Sequence, residues 1–409
     1  MFPLLSATLI LTALNWGVFD DTQLAIPLLT ASAIMAGIGL FKNTPVPPPL
    51  GRLWALVMAL SCAIPYYLHG PIGPFKKVIT IALTLTVLST IWRRYTIQIV
   101  IAVSGIVLIS FIYLQLPPPQ FDLWYLQENA IALLGKGKSP YGLTYYAKVP
   151  LIDTWVTSLP YPPAHLIAMM VGTYLGDFRW AFVIALIGSA LVLYHMAKKS
   201  SEPWVSAIPF LFLFYPKAMV YIWRSWTEPT LVGAIALSLW ALNHKYKRLL
   251  ILALGVVFSI KQFGFLFVLA LLIARQITWR DCLSAALIAA AICLPFLIAD
   301  PMGVLSGVIL THLHTPPRPD SISLPALIRR LGGPQFPAVT GFLSVAVVAA
   351  LATRLKSFTL STALLLAGIL FLVFFLMSPK AHENYYFTPL FLLVAAAVAF
   401  PLGATPRRV

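Results

Sequence analysis

The chain has 409 residues, of which 60% are hydrophobic and only 10% are charged. A soluble domain carries roughly 25% charged residues, so this composition excludes a water-soluble globular protein. The net charge of +16 comes from 28 Lys and Arg residues against 12 Asp and Glu residues. The cations stand in short runs between apolar stretches, which is typical of a polytopic membrane protein and argues against nucleic-acid binding.

Twelve apolar segments are long enough to be predicted as membrane-spanning helices. They cover residues 3–19, 23–41, 53–68, 78–92, 97–116, 178–197, 204–222, 229–243, 282–299, 336–353, 358–377 and 386–402. Residues 161–176 begin with Tyr-Pro-Pro and are predicted as an interfacial or re-entrant helix. Residues 249–274 are apolar but interrupted by Lys261 and Gln262, so we predict a hairpin of two short helices there. The sequence therefore indicates an all-α membrane protein with about fourteen spans.

The basic residues set the predicted orientation. With both termini in the cytoplasm, fifteen of the 28 cations and only two of the 12 acids, Glu202 and Asp281, face the cytoplasm. A second topology is also consistent, in which the predictions for residues 161–176 and 249–274 are both changed, so that the first crosses the membrane and the second is a single span. It moves the cations of 198–199 and 245–248 to the outer face. We therefore expect an integral protein of a plasma or ER-type membrane, whose polar loops face the extracytoplasmic side.

Two long segments fall on that outer face, residues 117–163 and 300–335. Within them, 123–134 and 324–331 have the pattern of surface-lying amphipathic helices. Residues 1–95 contain four predicted spans with few polar residues and are interpreted as an added transmembrane module. Residues 96–409 are then expected to form the functional domain.

Asp122 is the first acid after the fifth predicted span, directly behind the segment Pro-Pro-Pro-Gln-Phe. Polyproline ends a helix and keeps the chain extended, so this carboxylate is fixed near the membrane surface. Partial desolvation there suits a general base that takes a proton from a hydroxyl group. The alternative is an N-cap of the following helix, and the two roles are compatible.

Further polar groups are predicted at the outer ends of the spans. Arg224 and Glu228 follow one span, where they could form an i,i+4 ion pair or bind substrate. Lys261 and Gln262 lie between two apolar runs of about a dozen residues, each rising only about 18 Å as a helix. The Lys261 ammonium therefore needs a partner below the outer surface, either an anionic substrate or lipid headgroups.

The last polar cluster precedes the final span, in the sequence Ser-Pro-Lys-Ala-His-Glu-Asn-Tyr-Tyr. Its candidate site residues are Lys380, His382, Glu383 and Asn384. A zinc site is not expected, because the second His of a His-Glu-x-x-His motif is missing. We predict no metal and no other cofactor.

Together these features resemble the GT-C glycosyltransferases, and most closely the mannosyltransferases that use polyprenyl-phosphate-linked mannose. The resemblance covers about residues 97–402 and depends on the order and common side of the motifs. They are the acid after a span, the Ser-Pro-Tyr and Tyr-Pro-Pro elements, Lys261-Gln262 in a broken apolar stretch, and His-Glu-Asn-Tyr before the last span. No counterpart is identified for residues 1–95.

The resemblance implies an inverting, metal-independent sugar transfer at the extracytoplasmic leaflet. The donor would be a polyprenyl- or dolichyl-phosphate sugar, and the acceptor a glycolipid, an oligosaccharide or a protein. Asp122 would be the base, with Glu128 and Asp153 as competitors because many relatives have paired acids at this motif. The other residues would bind donor phosphate or sugar, and these are Arg224, Glu228, Lys261, Gln262, Lys380, His382, Glu383 and Asn384, with Tyr161 as a secondary candidate.

Two other classes of function remain open at this stage. A secondary transporter or lipid-linked sugar flippase would show related halves and polar groups near the bilayer midplane, whereas these polar groups gather at the outer ends of the spans. A non-catalytic membrane subunit would use the outer loops to bind a partner. We expect a monomer in contact with membrane lipids and without nucleic acid.

Overall fold

The computed structural model describes residues 2–16, 22–41, 95–119, 122–141, 159–200, 205–206, 208–311, 321–355 and 357–403. Its first α-helices are α1 (Phe2–Trp16), α2 (Thr22–Phe41), α3 (Tyr95–Leu114), α4 (Asp122–Gly135), α5 (Pro163–Thr173), α6 (Trp180–Ala197), α7 (Ile208–Leu213) and α8 (Pro216–Trp223). They are followed by α9 (Glu228–Asn243), α10 (Lys247–Ile260), α11 (Phe265–Ile273), α12 (Trp279–Ala299), α13 (Pro301–Leu305), α14 (Leu324–Arg330), α15 (Val339–Ala352), α16 (Leu360–Met377) and α17 (Phe387–Gly403). Short 3-10 helices cover Gln262–Gly264 and Glu383–Tyr386, and a π-helix covers Ser306–Leu310.

The chain is an integral membrane protein. Among the described residues, α6, α12 and α16 are long and apolar enough to cross a membrane by themselves, and shorter apolar helices accompany them. Helix α16 is buried at the centre, whereas α12 leaves Leu283, Leu287 and Leu294 exposed. Because an apolar helix surface of this size is stable only against lipid or protein, α12 is positioned to face the bilayer.

The reversal predicted at Lys261 is confirmed. Lys261 leaves α10 in an extended conformation, with φ −150° and ψ 140°. A Cβ atom at Gly264 would lie 2.3 Å from the Val257 carbonyl oxygen, so the chain has folded back onto the end of α10. At the other end, Lys247 at the start of α10 pairs with Asp281 in the first turn of α12 at 3.1 Å. The chain therefore returns, after α11, to the side of the bundle where α10 begins. Lys261 is therefore at the tip of a hairpin.

The prediction of a single spanning helix over 204–222 is wrong. The described part of this segment forms α7 and α8, with a break at Tyr215. Pro216 begins α8, because proline is tolerated in the first helical turn but breaks the interior of a helix. The break changes the direction of the chain and allows Lys217 and Arg224, both on one side of α8, to reach the same carboxylate.

The helices at the two ends of the chain pack together. Helices α1 and α2 contact each other and also pack against α16 and α17. Ser6 and Ser32 join α1 to α2 through hydroxyl hydrogen bonds, with 2.7 Å between the two oxygens. The predicted spans 53–68 and 78–92 lie outside the described residues.

The predicted surface helices are present as α4 and α14, and the predicted short helix is present as α5. With 11 residues, α5 rises only about 16.5 Å, too short to span a bilayer. Gly172 allows α5 to approach the start of α6, since a Cβ atom there would be 2.4 Å from the Phe178 carbonyl oxygen. Helix α5 also contacts α4, α10 and α12, and thereby links the first outer segment to the bundle.

Candidate active site

Four chain segments meet at one end of the helix bundle. They are the start of α9, the end of α10, helix α8, and the connection between α16 and α17. We call this end the site end, and we define it by Glu228, Lys261 and Asn384. Glu228 is in the first turn of α9, where the positive end of the helix dipole stabilises a carboxylate, and Pro229 suits the same turn.

Lys261 and Glu228 form a buried ion pair at the centre of the site end. The Lys261 ammonium donates a hydrogen bond to Glu228 Oε1, and the Asn384 amide donates to Glu228 Oε2 at 2.8 Å. The exposed fraction of the side chain is only 2% for Lys261 and 1% for Glu228. The partner that Lys261 requires is thus a carboxylate of the same chain, and the pair carries no net charge.

Aromatic rings surround the Lys261 ammonium. Its Nζ atom is 4.2 Å from the ring centre of Tyr385, 5.7 Å from that of Tyr161 and 5.9 Å from that of Phe263. Such cation–π contacts stabilise a desolvated ammonium by about 2 kcal/mol or more. Tyr161 is itself fixed, because its carbonyl oxygen accepts a hydrogen bond from the Tyr141 hydroxyl at 2.7 Å.

A second charged group lies beside the first, and its described side chains are two cations and one acid. Glu383 accepts a hydrogen bond from Lys217 Nζ at 2.8 Å and one from Arg224 Nη1 at 3.4 Å. We call Lys217, Arg224 and Glu383 the cation cluster. Its cations are more exposed than Lys261, with 17% for Lys217 and 14% for Arg224. The cluster is therefore the more accessible of the two charged groups.

Arg224 is held in this cluster by packing as well as by charge. Its guanidinium group lies 5.1 Å from the ring centre of Trp226. Burial lowers the pKa of Arg224 from its ordinary value, and the negative charge of Glu383 opposes that shift. The group remains a cation, because an arginine is not deprotonated in proteins. Arg224 pairs with Glu383, and Glu228 pairs with Lys261. Both residues thus have partners other than the i,i+4 ion pair with each other that the sequence allowed.

Lys217 is a site residue that sequence reasoning missed. Lys217 lies within the predicted span 204–222, and its apolar neighbours keep the mean hydropathy of that segment high. Two signals identify it: a lysine within an apolar segment is a functional candidate by itself, and Pro216 directly before it marks a helix start.

Gln262 contacts backbone groups rather than the charged groups. Its amide Nε2 donates to the carbonyl oxygens of Pro160, at 2.8 Å, and Val308, at 2.7 Å. It therefore joins the hairpin tip to the segment before α5 and to the π-helix. Its Oε1 atom is buried and has no hydrogen-bond partner among the described residues.

A buried polar chain, which sequence reasoning also missed, runs behind the ion pair. His165 Nδ1 lies 3.1 Å from the Thr230 hydroxyl, and its Nε2 lies 2.9 Å from the Gln127 amide nitrogen. This chain connects α4 through α5 to α9. The available signal was a polar residue in each of three helices, namely Gln127 in α4, His165 in α5 and Thr230 in α9.

Among the acids proposed as base, Asp122 is the first residue of α4. Its side chain lies outside what the structure describes, and so does Asp153. Glu128 is on the exposed side of α4, next to the buried Gln127. The start of α4 is held by Trp124, which contacts Phe178 at 4.8 Å and carries the Arg179 guanidinium at 4.5 Å from its ring centre.

Lys380 and His382 lie half-buried in the connection between α16 and α17. The His382 ring meets the ring of Tyr385 edge-on, with 5.9 Å between the centres. The carbonyl of Ala381, between Lys380 and His382, accepts a hydrogen bond from Ile322 N at 2.6 Å. This bond links the second outer segment to the connection between α16 and α17.

The described part of the chain contains no group of three or more His, Cys, Asp or Glu side chains that could hold a metal ion.

No protein-family model matches the chain, and a search of curated proteins finds no relative. A search of solved structures finds a match with ArnT from Cupriavidus metallidurans in a crystal structure with bound undecaprenyl phosphate. The TM-score is 0.50, the sequence identity is 18%, and the match covers 75% of this chain and 60% of ArnT. The chain thus spans less than two thirds of the length of the protein it resembles.

This likeness concerns the fold. The described residues form helices and no strands, and their arrangement matches that of ArnT over three quarters of the chain. The resemblance of the sequence motifs and the likeness of the structure agree on the same architecture. The chain is an all-α integral membrane protein with a GT-C-like fold.

Proposed function

We propose that this protein is a glycosyltransferase that takes a sugar from a polyprenyl-phosphate donor and transfers it to an acceptor hydroxyl at the extracytoplasmic face of the membrane. The observation that carries the proposal is the cation cluster, in which the side chains of Lys217 and Arg224 converge and remain partly exposed at the site end. The GT-C-like fold supports the same conclusion, and undecaprenyl phosphate bound to ArnT suggests the donor class.

The proposed chemistry is an inverting displacement. The acceptor oxygen attacks the anomeric carbon of the donor sugar, its proton passes to Asp122, and the bond to the phosphate oxygen breaks. Lys217 and Arg224 stabilise the negative charge on the departing lipid phosphate, a role worth several kcal/mol in other enzymes. Arginine and lysine are suited to it, because both donate charge-assisted hydrogen bonds to phosphate oxygens.

We assign the binding of the donor phosphate to the cation cluster rather than to Lys261. Glu228 already neutralises Lys261, and both side chains are almost completely buried. A phosphate that displaced Glu228 from Lys261 would leave a buried carboxylate without its cation, which is strongly unfavourable. We therefore assign to the Lys261–Glu228 pair the task of fixing the hairpin tip against Asn384. Lys380 and His382, which lie next to Glu383 in the chain, would extend the cationic surface toward the donor.

The sugar is proposed to be mannose, with arabinose and glucose as the next candidates, and the acceptor a glycolipid, an oligosaccharide or a protein. We also propose that both termini are cytoplasmic, that the active unit is a monomer, and that transfer needs no divalent metal. The lipid-linked phosphate is itself a good leaving group, so a base and a cationic site suffice. Transfer that continues in excess EDTA would agree with this, and loss of transfer restored by a divalent cation would contradict it.

The test is reconstitution of the full chain into liposomes with undecaprenyl-phosphate-linked mannose, arabinose or glucose and a lipid extract as acceptor. We expect one donor to yield a glycosylated product together with free undecaprenyl phosphate in equal amount. Movement of the intact donor between leaflets without product would contradict the proposal and indicate a flippase. The same liposomes report both outcomes.

A further inference from the structure

His165 lies completely buried between three helices and contacts a polar side chain on each of two neighbours. It belongs to α5, while Gln127 belongs to α4 and Thr230 belongs to α9. The residues of this chain are far apart in sequence, with separations of 38 between Gln127 and His165 and 65 between His165 and Thr230. The imidazole is therefore a polar bridge between α4 and α9.

The hydrogen bonds determine which ring nitrogen carries the proton. The Thr230 hydroxyl donates to the Thr227 carbonyl oxygen at 2.7 Å, so its oxygen is left to accept from His165 Nδ1–H. His165 Nε2 then has the lone pair and accepts from the Gln127 amide. This assignment gives a neutral imidazole with a defined donor and a defined acceptor.

Aromatic packing fixes the orientation of the ring. The Phe182 ring stacks on the imidazole with 5.8 Å between centres and 9° between planes, and the Tyr161 ring lies 5.7 Å away. Because a close-packed interior leaves no room for another rotamer, a displacement of His165 would displace both hydrogen-bonded partners. The bridge is thus rigid rather than adaptable.

One end of the bridge is close to the proposed base, and the other end is close to the buried ion pair of the site end. Gln127 follows Asp122 by five residues in α4, which is about 7.5 Å along the helix axis. Thr230 is in the first turn of α9, two residues after Glu228. Arg179 holds the same region of α4 through Trp124. A shift of α4 of 1 Å would move the start of the helix relative to the site end, and misplacement of that size lowers turnover by about 100-fold.

We propose that His165 is a positioning residue of the sugar transfer, which holds the α4 helix that begins with Asp122 at a fixed separation from the start of α9. It does so through one hydrogen bond to each helix and does not contact the reacting atoms. This inference rests on the proposed function. It predicts that the Gln127 and Thr230 contacts act as one unit, because cutting either one disconnects the two helices.

The test is a double-mutant cycle of Gln127→Leu and Thr230→Val in the full chain in liposomes. We measure kcat for transfer from the active undecaprenyl-phosphate-linked sugar and, separately, the Kd for undecaprenyl phosphate. Each single variant is expected to lower kcat about tenfold or more with Kd unchanged. The double variant is expected to be no slower than the slower single variant. Thr230→Ser keeps the hydroxyl group and should restore kcat.

Thr173→Val is the matched control, because among the described residues the Thr173 hydroxyl bonds only within α5, to the Met169 carbonyl at 3.1 Å. It should leave kcat unchanged. His165→Asn keeps a donor at the Nδ1 position and should resemble Gln127→Leu. Effects that add up in the double variant, unchanged kcat in the single variants, or a parallel loss of donor binding would overturn the inference alone. Absence of transfer by the unaltered chain would overturn the proposed function as well.

Discussion

Lys261 at the end of α10 donates a hydrogen bond to Glu228 at the start of α9, 33 residues earlier, and both side chains are buried. The pair fixes the tip of the hairpin at the site end, and Asn384 attaches the connection between α16 and α17 to it. The adjacent cation cluster uses Glu383, the residue directly before Asn384 in the chain. A buried ion pair and a more accessible cluster with two cations thus share one short connection.

Removal of one partner from the buried pair is predicted to destabilise the fold. Lys261→Ala leaves the Glu228 carboxylate without its cation and should lower the free energy of unfolding by about 3–5 kcal/mol. Lys247→Ala is the matched control, since Lys247 also pairs with an acid but is 68% exposed; it should change stability by less than about 1 kcal/mol. Thermal unfolding in detergent compares the two, and equal shifts would contradict a structural role of the buried pair.

Removal of Lys217 is predicted to weaken donor binding without unfolding the chain. Loss of one charge-assisted contact to the phosphate should raise the Kd for undecaprenyl phosphate about tenfold or more. Lys136→Ala is the control, because Lys136 is an exposed lysine in the turn after α4. Titration of purified protein with undecaprenyl phosphate measures both variants. If Lys136→Ala weakened binding as much as Lys217→Ala, general surface charge and not the cation cluster would be responsible.

Asp122→Asn is predicted to slow transfer strongly and to leave donor binding intact. A general base contributes about 10²- to 10⁴-fold to a rate, so kcat should fall by that factor while the Kd for undecaprenyl phosphate stays the same. Glu128→Gln and Asp153→Asn are made in parallel and should retain most activity. Full transfer by Asp122→Asn with loss in either of the other two would reassign the base to that residue.

The close approach at the hairpin tip is predicted to require glycine. Gly264→Ala would place a methyl group 2.3 Å from the Val257 carbonyl oxygen, so the backbone must shift. We expect a loss of about 1–3 kcal/mol in unfolding free energy, together with weaker transfer because Lys261 and Gln262 move. Gly188→Ala in α6 meets nothing within 4 Å and should be neutral or slightly stabilising. Similar unfolding temperatures for the two variants would contradict the hairpin geometry.

The composition and the positions of the polar residues were sufficient to predict a helical membrane protein with its polar groups at one end. Lys261 within an apolar stretch predicted the hairpin, because two runs of about a dozen residues cannot each span a bilayer. Glu228 and Lys261 were both identified as candidates. Their pairing could not be predicted, since it depends on how α9 packs beside α10 rather than on any local pattern.

The cation cluster shows a different limit. Lys217 became accessible only because the chain bends at Tyr215 and begins a new helix at Pro216. Hydropathy averaged over a window hides such a break. The bridge through His165 was missed for a related reason. A single polar residue in an apolar helix cannot be assigned a role until its partners are known, and Gln127 and Thr230 become its neighbours only in the folded chain.

The most direct measurement is a cryo-EM map of the full chain in lipid nanodiscs with undecaprenyl phosphate. The account predicts phosphate density within hydrogen-bonding distance of Lys217 Nζ and the Arg224 guanidinium, with the Lys261–Glu228 pair still closed behind it. Phosphate density bound instead to Lys261, with Glu228 displaced, or at the opposite end of the bundle near Lys247 and Asp281, would contradict it.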